Sequence, residues 1–237
     1  MFAEEEAAVL VGAASTPGTA PLPVLVERRA TGEPLEQVAG FADFDGVRVR
    51  LRPGVFVPRV RSELLVRLAV EEQPRTVVDL CCGSGALGMA VRRRLPRVAL
   101  HSADLDPVAV ATARDNLVTP VYQGDLFEPL PPPLRGRVDV IVANVPYVAT
   151  GHLPLLPAEA RDHEPRLALD GGPDGLDVFR RIVADAPVWL APGGVLLSEI
   201  TEAQEAAATA AVAQSGLDAD TVYDDDLEAR VIRGRRR

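Results

Sequence analysis

Apolar positions change their spacing along the chain, and the changes mark the elements. Residues 4–14 and 22–31 read as two short helices split by "STPGTAP", a proline- and glycine-bearing break. Further on, Val47, Val49 and Leu51 alternate with Arg48, Arg50 and Arg52, the period-two signature of a half-buried strand. With "FADF" before the Asp45-Gly46 turn, that strand completes a β-hairpin. From Ser62 the pattern becomes a regular alternation. "SELLVRLAVEEQ" is an amphipathic helix with Ser62 as N-cap, "TVVDL" a strand, and "GALGMAVRRRL" a helix. "VALHSAD" is a strand, and "DPVAVATARDNL" is a helix capped by Asp106 with Pro107 at its first position. "VDVIVA", "GVLLSEI", "ADTVY" and "LEARVIRG" read as strands, and "LDVFRRIVADAPVWL" and "EAQEAAATAAVAQSG" as helices. Strands and helices in alternation predict an α/β sheet covered by helices on both faces.

Composition sharpens this picture only in places. At 237 residues and 47% hydrophobic, the chain can build one sizeable core with a small appendage. All 25 basic residues are arginine, and the formal net charge is -9, which argues against general nucleic-acid binding. Cys81 and Cys82 are adjacent, so neither a disulfide framework nor a zinc spacing exists, and a reducing cytoplasm is the expected home. The N-terminus is acidic where a signal peptide would be basic, and its apolar run is too short to span a bilayer. The closing "RGRRR" reads as a solvated tail. His152 and His163 are lone histidines flanking a loop.

The chemistry concentrates at strand ends. In "VVDLCCGSGALG", Val77 to Gly88, a hydrophobic strand runs into glycines that open a helix. Glycine lets backbone approach a ligand, and a helix N-terminus offers free N–H groups. Gly83, Gly85 and Gly88 match GxGxxG literally, with Asp104 about 20 residues on, which is the dinucleotide fingerprint. Two features argue against a nicotinamide cofactor. Asp79 sits inside the strand, where a carboxylate can face a ligand's ammonium group, and no hydride-transfer constellation is evident. Both suit S-adenosylmethionine, an amino acid joined to a nucleoside. Asp104, at the end of the second strand, would take the ribose hydroxyls, and Asp125 in "QGDLFEPL" would accept from the adenine amino group. Acids in successive strand-end loops face the crevice where ligands bind in such sheets. A fourth strand end carries "NVPY", Asn144 to Tyr147. It reads either as a plain turn or as a pocket for a planar, nitrogen-bearing substrate.

Taken together, these motifs resemble the release-factor glutamine methyltransferase family over residues 33–237. "GEPLEQVAGFADFDGVRVRLRPGVFVPR" is similar to the family's linker hairpin, "DLCCGSG" to its cofactor loop and "NVPY" to its N-P-P-Y signature. "EPRLALDGGPDGLDVFRRI" and "LEARVIRG" match as well. The resemblance implies a Rossmann-like class I methyltransferase sheet preceded by a short helical segment and a β-hairpin. Its expected divisions are residues 1–36, 37–58 and 59–237. It implies S-adenosylmethionine held by Asp79, Cys81, Gly83, Gly85, Asp104, Leu105, Asp125, Leu126 and Asn144. It implies an acceptor glutamine of a protein, such as a peptide-chain release factor, gripped by Phe56, Arg59, Asn144, Val145, Pro146 and Tyr147. Asn144, Pro146 and Tyr147 would carry the catalysis. Phe56 has a competing reading as a core side chain.

Departures from the family pattern keep other acceptors in view. Val145 replaces the first proline of N-P-P-Y; it keeps the carbonyl, adds an N–H and loosens φ. As the residue before Pro146 it remains biased toward extended backbone. Val60 and Arg61 replace proline and glutamate in the family's P-R-P-E-T-E, Cys81 replaces a loop glycine, and "EIT" replaces E-I-G. The 31 residues before "GEPL" are fewer than in the family's helical N-terminal domain. These features motivate a small amide or amine as the alternative acceptor. An alternative of another class is a non-catalytic cofactor-binding scaffold.

Overall fold

The computed structural model describes residues 3–237. Two short helices, Ala3–Ala14 and Leu22–Ala30, open the chain as expected, and a further turn of helix, Leu35–Ala39, follows them. That third helix has only five residues, too few to show a period in the sequence. Leu10, Ala13, Leu25, Leu35, Val38 and Ala39 form a small core of their own.

The hairpin pairs β1 (Phe41–Phe44) with β2 (Val47–Arg50), and Asp45 and Gly46 turn at positive φ. Its valines and Phe44 face inward and join the main core, while the arginines face out. Asn116 fixes the hairpin to the sheet domain. Its Oδ1 accepts from the Arg50 N–H at 2.9 Å, and its Nδ2 donates to the carbonyls of Arg50 and Ser84, each at 2.9 Å.

Seven strands form the main sheet: β3 (Thr76–Leu80), β4 (Ala99–Asp104), β5 (Val121–Gln123), β6 (Val138–Ala143), β7 (Leu190–Glu199), β8 (Asp218–Asp224) and β9 (Ala229–Arg235). The spatial order is β5-β4-β3-β6-β7-β9-β8, with only β9 antiparallel to its neighbours. The order reverses at β3, which lies between β4 and β6, and a doubly wound sheet opens a crevice at that point. Burial divides by strand parity. Val77 belongs to the apolar layer under the hairpin and the helix Ala86–Arg94. Val78 and Leu80 belong to the opposite layer under the helix Asp177–Trp189.

Register sets the height of each strand end. Leu80 is level with Ala103 on β4 and Ala143 on β6, and Ala143 is level with Ser198 on β7. The next residues, Cys81, Asp104, Asn144 and Glu199, therefore emerge side by side along one edge of the sheet.

Three local expectations change. Ser62 precedes the helix Glu63–Glu71 but lies in the right-handed helical region and makes no capping bond. Its hydroxyl is drawn instead to Glu199. The segment around the two histidines is helical rather than a loop, with turns at Thr150–Leu155, Ala158–His163 and Arg166–Leu169. The "RGRRR" end is not a free tail. Arg235 pairs with Glu72 at 2.6 Å, Arg233 with Asp220 at 2.6 Å, and Arg237 with Asp218 at 2.5 Å. Acids on β8 and Glu72, at the C-terminal end of the helix Glu63–Glu71, tie that arginine run to the sheet. Asp106 does cap its helix as expected, accepting from the Val108 N–H at 2.7 Å. Among the described residues, no helix is long and apolar enough to cross a membrane.

Candidate active site

A cavity of about 490 Å³ occupies the crevice beyond β3, β4 and β6. Its volume falls within the range of small-ligand sites. One end is built by the glycine loop. Gly85 sits at φ +80°, where a side chain would be strained, and an added Cβ would lie 2.8 Å from Leu117 Cδ1. The turn delivers the N-terminus of the helix Ala86–Arg94 beside the cavity, and its positive end favours negative charge. Asp104 braces the loop from the neighbouring strand. Its Oδ2 accepts from the Gly83 N–H at 2.8 Å and its Oδ1 from the Asp106 N–H at 2.9 Å. Burial holds the Asp104 carboxyl above its ordinary range, against the pull of those two donors. Leu105 and Leu126 add apolar walls, the latter at φ +50°, and Asp125 lines the same cavity and pairs with Arg181 at 2.6 Å. Cys81 lines the same wall at φ +54°; burial, and then the Asp104 charge, push its thiol far up, so it remains protonated.

The other end is built by residues 144–148. Asn144 Nδ2 donates to Ser62 Oγ at 3.1 Å, and Ser62 Oγ donates to Glu199 Oε2 at 2.7 Å. Glu199 Oε1 accepts from Arg61 Nε at 2.7 Å, and Arg61 also donates to the Tyr147 hydroxyl. Asn144 Oδ1 is buried and has no partner among the described residues. A buried acceptor without a donor costs about 1–3 kcal/mol. Tyr147 is pushed up to about 12 by burial first, then by the Glu199 charge, with Arg61 opposing; its phenol is neutral at physiological pH.

The backbone of this stretch is clamped from behind. Val148 donates to the Leu169 carbonyl at 3.0 Å and accepts from the Gly171 N–H at 2.9 Å. Gln204 Nε2 donates to the Tyr147 carbonyl at 2.8 Å and to the Asp174 carbonyl at 3.1 Å. A Cβ on Gly175, at φ +78°, would collide with the Tyr147 carbonyl and with Gln204. A Cβ on Gly171 would collide with the Pro146 and Gly175 carbonyls. The glycines of "DGGPDGLD" thus let two loops touch backbone to backbone. Val145 is buried in the apolar layer, and neither its N–H nor its carbonyl is hydrogen-bonded among the described residues.

The methyltransferase small domain family matches residues 46–156. A release factor glutamine methyltransferase of Geobacter sulfurreducens is 38% identical over 220 residues, 89% of this chain and 76% of that protein. The chain belongs to the release factor glutamine methyltransferase family. A further member, from Moorella thermoacetica, is 39% identical over 188 residues, which is 74% of this chain and 64% of that protein's own length. Among solved structures, the T. thermophilus 16S rRNA N2 G1207 methyltransferase in complex with AdoMet and guanosine aligns with a TM-score of 0.60 at 22% identity. The alignment covers 83% of this chain and 50% of that one. At that identity the likeness is one of fold.

Within this family member, the cavity wall brings together Phe56, Arg59, Cys81, Gly83, Asp104, Leu105, Asp125, Leu126, Asn144, Val145, Pro146 and Tyr147. Two expected donor-site residues lie behind the wall. Gly85 shapes the loop without lining the cavity, and Asp79 is 1% exposed beneath it. Strand parity explains Asp79. It shares the face of Val77, so its carboxylate points at the helix behind the loop, and its Oδ2 accepts from the Gly88 N–H at 3.2 Å. Asp79 Oδ1 has no partner among the described residues. Burial first, and then the Asp104 charge, push this carboxyl up to about 7, with the Gly88 N–H opposing. Phe56 lines the cavity, with the Arg59 guanidinium 5.0 Å from its ring centre. Arg59 in turn pairs at 2.6 Å with Glu164, which is 6% exposed.

Ser62, Glu199, Glu164 and Gln204 join this network without a local sequence signal, and Arg61 stands out in the sequence only as a departure from the family pattern. Glu164 lies inside a quoted family motif, yet nothing local to it signals that its Oε1 would accept from the Val57 N–H at 3.2 Å, 107 positions away.

Proposed function

We propose that this protein transfers a methyl group from S-adenosylmethionine to the side-chain amide nitrogen of a glutamine in a protein substrate, a peptide-chain release factor. The observation that carries the reading is the pair of free acceptors at the end of β6. Asn144 Oδ1 is buried without a partner, and the Val145 carbonyl accepts no hydrogen bond among the described residues. A primary amide nitrogen carries two hydrogens and is a poor nucleophile because its lone pair is delocalised. Two acceptors fixed on adjacent residues take both hydrogens, orient the nitrogen and stabilise the positive charge that grows on it. Tyr147, neutral and held by Arg61, offers a flat surface to the amide plane.

The glycine-loop end suits the donor. When bound, S-adenosylmethionine supplies an electrophilic methyl group on a positively charged sulfur. Asp104 keeps two anchored oxygens with lone pairs to spare for vicinal hydroxyls, Leu105 and Leu126 form an apolar slot for a flat base, and Asp125 stands at its rim. Asp79 acts at one remove, by holding the helix start through Gly88. As the N–CH3 bond forms the S–CH3 bond breaks, leaving a neutral thioether, and the acceptor nitrogen passes one proton to water, so no dedicated base is needed. The membership of the chain in a family whose relatives are named for release-factor glutamine methylation supports the same acceptor.

The test is methyl transfer to purified release factors from isotopically labelled S-adenosylmethionine, followed by mass spectrometry of the digested product. One added methyl on a glutamine side chain is the expected result. Label that stays out of release factors and enters small amides or amines would overturn the assignment of the acceptor.

A further inference from the structure

The orientation of the Asn144 amide is not set by Asn144 itself. An asparagine side chain is nearly symmetric in shape, and turning it over exchanges an acceptor for two donors. Only one orientation suits amide methylation. With Oδ1 toward the acceptor nitrogen, a substrate N–H is taken up and the lone pair is left free. With Nδ2 there, an N–H would donate to that lone pair and withdraw it from reaction.

Three residues outside the N-V-P-Y stretch decide the matter. The Glu199 carboxylate offers acceptors only, and Arg61 Nε already occupies Oε1 at 2.7 Å. Ser62 Oγ lies 2.7 Å from Oε2, so its single proton is committed to Glu199. The lone pairs of that hydroxyl are what remain for Asn144, and they require a donor. Asn144 Nδ2 meets them at 3.1 Å, and Oδ1 is thereby turned to the opposite side, where it has no partner among the described residues. Ser62 is 2% exposed and Glu199 is 3% exposed, so both bonds are largely shielded from bulk solvent. The lack of a capping bond from Ser62 to the helix that follows it is consistent with a hydroxyl held elsewhere.

We propose that Ser62, polarised by Glu199, is a positioning residue that fixes the Asn144 amide with its oxygen toward the methyl acceptor. The proposal rests on the amide-methylation reading above. Ser62 touches neither substrate nor donor in this role; it acts through Asn144.

The experiment is a double-mutant cycle between Ser62→Ala and Asn144→Ala, read in single turnovers on the release-factor glutamine, with Ser62→Thr as the conservative rescue. Ser62→Ala should lower the methyl-transfer rate about tenfold, the worth of one hydrogen bond, without moving the Kd for S-adenosylmethionine. In the Asn144→Ala background the same change should cost less than twofold, because the group it positions is gone. Ser62→Thr should recover most of the rate. A wild-type rate in Ser62→Ala overturns the proposal, and so does an equal loss in both backgrounds, which marks a merely structural serine. The side-chain amide NMR signal of Asn144, identified by its disappearance in Asn144→Ala, supplies a readout that needs no acceptor. It should shift in Ser62→Ala and return in Ser62→Thr; an unmoved signal also overturns the proposal. If the wild type leaves release factors unmethylated while the signal behaves as stated, the acceptor reading fails and the positioning role stands.

Discussion

Asp79→Asn should make the protein more stable at alkaline pH than at acidic pH, relative to the wild type. Asp79 is 1% exposed, one of its oxygens has no partner, and its pKa is pushed from an ordinary 3.8 up to about 7. For an acid whose folded pKa is raised, the folded state binds the extra proton between those two values, so stability is full below the unfolded pKa and falls as pH rises through the folded one. Each pKa unit is worth about 1.4 kcal/mol, so the ionised carboxylate withholds about 4 kcal/mol at pH 8 relative to acid. Most of that change, about 2–3 kcal/mol, falls between pH 5 and pH 8. Asparagine keeps an acceptor for the Gly88 N–H but has no charge to bury. Urea unfolding of both proteins at pH 5 and pH 8 gives the difference directly, since ΔG is linear in denaturant. The advantage of Asp79→Asn should grow by about 2–3 kcal/mol from the lower pH to the higher. The same advantage at both values would mean that Asp79 is not the buried acid described, and that solvent or a partner reaches its carboxylate.

Three further outcomes follow from the same geometry. Asp104→Ala should weaken S-adenosylmethionine binding by about 1–3 kcal/mol in calorimetry, because the hydroxyls and the Gly83 and Asp106 N–H groups lose their acceptor; affinity within twofold of wild type would refute the assigned role. Gly175→Ala should lower stability by about 2 kcal/mol or more in chemical denaturation, and lower methyl transfer without loss of donor affinity, since a side chain at φ +78° must push the Tyr147 carbonyl aside. Val145→Pro should leave the unfolding free energy within about 1 kcal/mol of wild type, because no hydrogen bond of the Val145 N–H is lost; it should also retain methyl transfer to a glutamine, whereas a large rate loss would favour a reshaped acceptor pocket.

The sheet, the glycine loop and the strand-end acids were legible because each rests on local pattern. Period-two runs, a strand breaking at glycine and a Pro107 helix start need only neighbouring residues. The strand-end positions of Asp104 and Asn144 were legible for the same reason: Asp104 closes β4 and Asn144 follows β6 directly. Asp79 was placed on the wrong side of the loop. Its position in the strand was clear, but which face of β3 met which helix depended on the packing of the whole sheet. Ser62 was misread by a local rule. Serine before an amphipathic run is a good N-cap, and only the register that sets Glu199 beside Asn144 shows where its hydroxyl goes. Gly171 and Gly175 carried their signal in plain sight, yet their purpose is the approach of another loop's carbonyls, which no spacing within "DGGPDGLD" states.

The claim that Asn144 orients a glutamine amide is tested most directly by Asn144→Ala, measured on a release factor with donor affinity followed in parallel. The rate of methyl transfer should fall on the order of 100-fold or more, as it does when one oriented hydrogen-bonding group is lost at a reacting centre. The Kd for S-adenosylmethionine should stay within a few-fold of wild type, since Asp104 and the glycine loop remain. Methylation of the same glutamine at the wild-type rate would contradict the account and reduce the stretch from Asn144 to Tyr147 to a turn.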